Sequence, residues 1–187
     1  RSRKGGKRIP DIIGFVNGPS CYGPSRQLVG QSKEVFSIIG YAANRKGQPV
    51  LMADLGTVVH EFNHSFIKIE GDTKNALAKS GKTIKSYSAF CMKQQAYDSW
   101  QTILEESLVR AAEKCYFIEH GDGKVDKGIR NEMNHGFFWM PELVQTLRYY
   151  ESHRKKYPTF TSFYPEIIRF FDRYVADVEK EIQKALK

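Results

Sequence analysis

The sequence predicts an α+β fold in which a small N-terminal β-sheet is packed on an amphipathic helix and a mainly helical C-terminal half follows. Two observations indicate this class. Short apolar runs rich in β-branched residues occupy residues 9–16 and 34–41 and alternate with turn-rich stretches. From residue 54 onward, apolar residues instead recur at three- and four-residue steps, which is the period of a helix with one buried face.

The N-terminal sheet is expected to contain two or three strands. The first apolar run is followed by the turn-rich stretch 17–25, and the second is ended by a strong turn signal at residues 44–49. A third short run, at Val50 and Leu51, follows that turn. These runs are long enough for the strands of one small sheet.

The first helix is expected to begin after Asp54 as N-cap and to run for about four turns, with Gly71 beyond its end. A short helical turn within residues 72–80 and a loop over residues 81–85 are expected next.

Three longer helices are predicted further along the chain. One extends from Asp98, as N-cap, to about Ile118, because its apolar residues form a single stripe. The other two are expected to start at Pro141 and Pro165, since proline is favoured in the first turn of a helix.

The composition and charge of the chain are those of a globular domain. Its 187 residues fit one domain over residues 9–187, with a helical subdomain from about residue 82, preceded by a basic flexible tail over residues 1–8. The formal charge of +8 is concentrated in that tail, so we do not expect nucleic-acid binding. No apolar run reaches the ~20 residues of a membrane span.

The most informative motif lies in the first helix. His60-Glu61-Phe62-Asn63-His64 satisfies the pattern His-Glu-x-x-His. Residues four apart lie on one face of a helix, so both imidazoles can reach a single Zn²⁺ at about 2.0–2.1 Å. A chance match is expected only about 0.01 times in a chain of this composition. The alternative interpretation of the motif is that His60 and His64 are polar residues flanking the apolar stripe of the helix, with Glu61 solvated on its surface.

Glu61 follows the first histidine and is the expected general base. Its position beside the predicted metal would let its carboxylate take the proton of an attacking water and return it to the leaving group. Zinc lowers the pKa of a bound water to about 7 and polarises a carbonyl, which suits hydrolysis at neutral pH.

A hydrolytic zinc site also needs a third protein ligand. One class of zinc peptidases has a glycine three residues after the second histidine and a metal ligand three residues further on. Here these positions are Ile67 and Glu70, so the glycine is missing and Glu70 is only a weak candidate. The alternative is a glutamate from a separate helix, for which Glu105 and Glu106 are both candidates. Helical periodicity does not separate these two.

The stretches VVHEFNHSF and EESLVRA, with the earlier NGPSCYGP, resemble a family of uncharacterised bacterial zincin-like proteins catalogued as a domain of unknown function. The resemblance covers roughly residues 17–117, and only the His-Glu-x-x-His core is specific. It implies a zincin-like fold, a gluzincin-type metallopeptidase with one Zn²⁺ per chain, and Glu106 as third ligand. It also implies a secreted or cell-envelope location in a bacterium.

Other polar residues could assist such a site. Arg110 lies one turn after Glu106 and could orient its carboxylate or donate to an oxyanion, although a surface ion pair would explain it equally well. Tyr150 and His153 are candidates for stabilising the transition state, with surface or packing roles as the alternative.

The sequence therefore predicts a zinc peptidase acting on a peptide or protein substrate. Two alternatives remain: a zinc amidase or esterase acting on a non-peptide substrate, and a binding module of the same fold without turnover. The intact Glu61 argues against the second, because metal binding alone does not require a base.

Overall fold

The computed structural model describes residues 12–16, 23–29, 32–43, 46–51 and 54–186. The predicted basic tail and the turn-rich residues 17–22 lie outside these ranges. The chain forms two compact units, Arg1–Phe66 and Ile67–Lys187. The second unit thus begins before residue 82, where the helical subdomain was predicted to start, while the prediction of one domain over residues 9–187 stays a prediction.

The first unit contains four strands and one helix. β3 is the central strand: β1 pairs with it in parallel, whereas β2 and β4 pair with it antiparallel. The helix, α1, lies beside β3 and β2. The elements in chain order are β1 Ile12–Val16, β2 Gly23–Val29, β3 Ser32–Ala43, β4 Pro49–Leu51 and α1 Leu55–Asn63.

The start of α1 confirms the predicted cap, but its length does not match the prediction. The side chain of Asp54 accepts a hydrogen bond from the backbone N–H of Thr57 at 2.9 Å. The helix ends at Asn63, after nine residues instead of about four turns. Gly71 does not close this helix; it is the first residue of the next one.

The described residues of the second unit form five helices and no strand. Its core consists of aromatic and aliphatic side chains from all these helices, and Phe137, Trp139, Phe163 and Phe171 are among the largest that are fully buried. The helices are α2 Gly71–Gln94, α3 Trp100–Glu119, α4 Val125–Asn134, α5 Met140–Ser152 and α6 Phe160–Ala185.

The described structure is predominantly helical, with 102 of its 163 residues in helices and 27 in strands, so the predicted α+β, zincin-like fold class is corrected to a mainly helical one with a four-stranded N-terminal sheet. In the second unit, the buried hydrophobic residues lie between Ile67 and Val175, on helices or the segments that join them. The main reason for the error is α2: its sequence is rich in glycine, serine and lysine and predicted a short turn and a loop, yet it forms 24 continuous residues of helix.

The buried face of α2 explains why its period was missed. Leu77, Ile84 and Met92 are buried together with Ser80 and Ser88, whose hydroxyls donate to backbone carbonyls of their own helix. Small polar residues thus occupy positions where a hydrophobic pattern would be expected. Gly81 also lies on this face, and a Cβ there would lie 2.4 Å from Cε3 of Trp100. The close approach of α3 therefore requires glycine.

The remaining helices correct the predictions in detail. α3 agrees with the prediction to within a residue or two, although its N-cap is Ser99. α4 was not predicted. α5 has Pro141 in its first turn, as expected. α6 begins at Phe160, with Thr159 and Ser162 forming a capping box, so Pro165 lies inside the helix and does not start it.

None of the described helices is long and apolar enough to cross a membrane.

Replacing Gly81 by alanine should destabilise the protein by about 1–3 kcal/mol, because the added methyl group would displace the Trp100 ring from its packed position. Unfolding in denaturant measures the change. Gly128→Ala is the matched control: its Cβ would meet only the flexible end of the Lys114 side chain, no closer than 3.5 Å. A helical glycine replaced without a clash should gain up to about 1 kcal/mol. Equal stability of both variants would contradict the packing argument.

Candidate metal centre

The two histidines of the motif lie on one face of α1, one turn apart. Their Nε2 atoms are 3.2 Å from each other, and their rings meet nearly edge to face with centroids 4.9 Å apart. Both side chains are half-buried. The four-residue spacing of His60 and His64 therefore directs the same ring nitrogen of each residue towards one point.

The distance between the two nitrogens fits a shared metal ion. Two nitrogen ligands at about 2.0–2.1 Å from a tetrahedral zinc lie about 3.3–3.4 Å apart. Without a metal, one neutral imidazole can donate its N–H to the other at the same distance. The geometry of the pair therefore fits either a shared metal ion or a hydrogen bond between the two rings. Glu61 is half-buried on the same helix, directly after the first histidine.

In the second unit, the predicted third ligand, Glu106, lies in α3 and is 9% exposed. Its Oε2 accepts a hydrogen bond from the hydroxyl of Tyr97 at 3.1 Å and lies 3.5 Å from Nε of Arg110. The predicted one-turn spacing of Glu106 and Arg110 thus does bring the two side chains into contact. Both interactions hold the same carboxylate oxygen.

Arg110 connects Glu106 to a second buried carboxylate. Its guanidinium donates to Glu132 Oε2 on α4 at 2.8 Å and to the hydroxyl of Tyr97 at 3.1 Å. It also lies over the ring of Phe137, 4.9 Å from the centroid. The other oxygen of Glu132 pairs with Lys114 at 3.2 Å. We call these residues the Arg110 network: Tyr97, Glu106, Arg110, Lys114 and Glu132.

The pKa values within this network reflect burial and charge. Burial of the Tyr97 hydroxyl, followed by the charge of Glu106, raises the pKa of Tyr97, so the phenol keeps its proton at neutral pH. Burial alone would lower the pKa of Arg110, but Glu132, Tyr97 and Glu106 together outweigh it, so that pKa is raised. The guanidinium is therefore a permanent cation here.

The two other candidate third ligands have different positions. Glu105 Oε1 accepts from the backbone N–H of Ile69 at 2.8 Å and from Gln101 at 3.3 Å, so this carboxylate holds the chain ahead of α2. Glu70 is exposed and precedes α2 as its N-cap residue, without a side-chain cap. Among these glutamates, Glu106 combines burial with a carboxylate oriented by hydrogen bonding.

The two predicted transition-state residues lie on the last turn of α5 and just after it. Tyr150 is buried in the helical core, where its ring packs on Phe160 and Phe163. His153 is exposed, and its Nδ1 lies 2.9 Å from the carbonyl oxygen of Tyr149. These contacts account for both residues as packing and helix-end groups.

Sequence reasoning missed three members of the Arg110 network. Tyr97 lies in the short loop before α3, Glu132 lies on the helix that was not predicted, and Lys114 is one turn after Arg110. Lys114 joins the network through Glu132 on α4, so its spacing from Arg110 gave no signal either. The other two reach the network through tertiary packing.

Two imidazoles and one carboxylate are a donor set that suits zinc. The first unit offers such imidazoles at His60 and His64, and the second unit offers such a carboxylate at Glu106.

Comparison with known proteins gives one match. No curated protein and no solved structure matches the chain. The model of a family described as a domain of unknown function (DUF4932) matches residues 29–170, which is most of the chain and includes both histidines and the Arg110 network. The chain therefore belongs to the DUF4932 family of uncharacterised domains.

Proposed function

We propose that this protein is a zinc-dependent peptidase of the His-Glu-x-x-His type in which His60, His64 and Glu106 bind one Zn²⁺ and Glu61 is the general base. The observation that carries the proposal is the 3.2 Å distance between the two Nε2 atoms on a helix that also bears the glutamate of a His-Glu-x-x-His motif. This motif combines two zinc ligands with a base on adjacent positions.

The proposed mechanism assigns separate tasks to the chain's own residues. A bound zinc ion supplies the Lewis acid that acidifies a water molecule and polarises the substrate carbonyl. Glu61 takes the proton of the attacking water and then delivers it to the amine that leaves. Glu106 contributes a negative charge that, with two neutral imidazoles, leaves a net positive centre for the developing oxyanion.

The choice of Glu106 over its neighbour is supported by what each carboxylate does in the second unit. Glu105 binds the backbone of Ile69, and its removal would leave that N–H without this acceptor. Glu106 is fixed by Tyr97 and Arg110, which matches the hydrogen bonding that usually accompanies carboxylate ligands of metals. The location of the protein outside the cytoplasm remains a proposal from family resemblance.

The zinc content of variants tests the proposed ligands. Wild-type protein should contain about one zinc per chain, measured by mass spectrometry of the metal, whereas His60→Ala and Glu106→Gln should lose it, since each removes one of three ligands. Glu105→Gln is the matched control and should keep its zinc while unfolding at a lower denaturant concentration. Wild-type protein that stays free of zinc after zinc is supplied would refute the proposed function. Loss of zinc from Glu105→Gln instead of Glu106→Gln would reassign the third ligand.

The role of Glu61 is tested by Glu61→Gln, which preserves the shape of the side chain but removes the base. This variant should keep its zinc and lose about 10²–10⁴-fold in kcat, measured by cleavage of a peptide library. If the variant cleaves peptides as fast as wild type, Glu61 is not the base.

A parallel screen tests the class of substrate. If the zinc-loaded wild type cleaves only non-peptide amides or esters, the peptidase assignment is replaced by the amidase or esterase alternative.

A further inference from the structure

The proposed third ligand, Glu106, is oriented by the hydroxyl of Tyr97, which has one proton and two hydrogen-bond partners. The hydroxyl oxygen lies 3.1 Å from Oε2 of Glu106 and 3.1 Å from Nη2 of Arg110. A guanidinium has only N–H donors and no acceptor, so the contact with Arg110 uses a lone pair of the phenol. The single proton of the hydroxyl is therefore donated to Glu106.

This assignment gives the network a fixed direction. Arg110 donates one hydrogen bond to Glu132 through Nη1 and another to Tyr97 through Nη2. The hydroxyl of Tyr97 in turn donates to Glu106. Hydrogen bonds in such a chain polarise one another, and a donor that itself accepts from a cation is the stronger donor. Oε2 of Glu106 is thus held by a strengthened hydrogen bond.

The supporting groups leave Arg110 little freedom to turn away. Its side chain is 20% exposed, and its partner Glu132 is 5% exposed and is also paired with Lys114. The ring of Phe137 covers the guanidinium. Because both oxygens of Glu132 are engaged by cations, this carboxylate fixes the guanidinium, and the guanidinium in turn fixes the phenol.

We propose that Tyr97 is a positioning residue for Glu106: its hydroxyl, oriented by Arg110 and Glu132, holds the carboxylate in the conformation that binds the metal. This inference rests on the proposed function and extends it from the ligands to the residues that support them. Tyr97 acts through Glu106 and not on a substrate.

The affinity for Zn²⁺ tests the inference independently of catalysis. It is measured on the full chain by competition with a chromophoric chelator at fixed pH and ionic strength. Tyr97→Phe removes only the hydroxyl and should weaken zinc binding about 10–100-fold, the effect typical of losing a partner of a metal ligand. Tyr174→Phe, a half-buried tyrosine that packs on Trp139 and Phe170, is the matched control and should leave the affinity within about twofold of wild type.

A double variant separates positioning from a general effect on the fold. Glu106→Gln, purified without zinc, should still bind added zinc weakly through its two imidazoles, and in this background removal of the Tyr97 hydroxyl should not change that residual affinity, because the residue it positions is absent. An equal loss in both backgrounds would show that Tyr97 does not act through Glu106 and would overturn the inference. A thermal melt of each variant checks that it is folded at the temperature of the zinc titration.

The outcomes distinguish this inference from the proposed function. If wild type binds zinc tightly and Tyr97→Phe binds it equally well, the positioning role is refuted while the zinc site stands. If wild type does not bind zinc, the proposed function fails and the inference fails with it. If Tyr97→Phe does not fold, Glu132→Gln is used instead, because it keeps the length of the side chain and loosens Arg110. This variant should also weaken zinc binding when Glu106 is present and should have no effect in the Glu106→Gln background.

Discussion

The helical unit depends on the pairing of one guanidinium. Arg110 projects from α3 and its side chain is only 20% exposed, and a charge so far withdrawn from water is tolerated only when it is paired and hydrogen-bonded. Glu132, Tyr97 and Glu106 provide those partners. Removing one partner of a buried pair typically costs about 3–5 kcal/mol, because the other charge is left uncompensated. This requirement fixes α4 and the loop before α3 relative to α3.

The adjacent glutamates of α3 show how one helix serves two purposes. Successive residues of a helix point about 100° apart, so neighbouring side chains reach different surroundings. Glu105 and Gln101 bind the N–H and the carbonyl of Ile69, and Tyr164 from α6 binds both backbone groups of Lys68. The segment that leads into α2 is thereby held by side chains of α3 and α6. Glu106 faces the Arg110 network instead.

Sequence patterns predicted what local physics determines. The Asp54 cap, the extent of α3 and the start of α5 follow from capping preferences and from apolar stripes, which act over a few residues. The spacing of His60 and His64 was sufficient to predict that their rings converge, because a single helical turn brings them together. In these cases the signal and the structure lie in the same stretch of chain.

The errors arose where packing replaces a hydrophobic pattern. The apolar stripe of α4 contains only three residues, Val125, Ile129 and Met133, and α2 uses serine and glycine at its closest contacts. The α+β class failed for the same reason, since these two helices enlarge the helical part of the chain. Tyr97 is nine residues from Glu106, and Glu132 is 22 residues from Arg110. Neither pairing has a local period that a sequence could reveal.

The buried position of Glu106 is informative about binding as well as folding. Tyr97 and Arg110 hold a single oxygen of this carboxylate, Oε2, through contacts within the second unit. The carboxylate is therefore oriented when the helices fold. As the proposed third ligand it would bind a cation without a further loss of conformational freedom, which is the physical advantage of building a site on rigid helices.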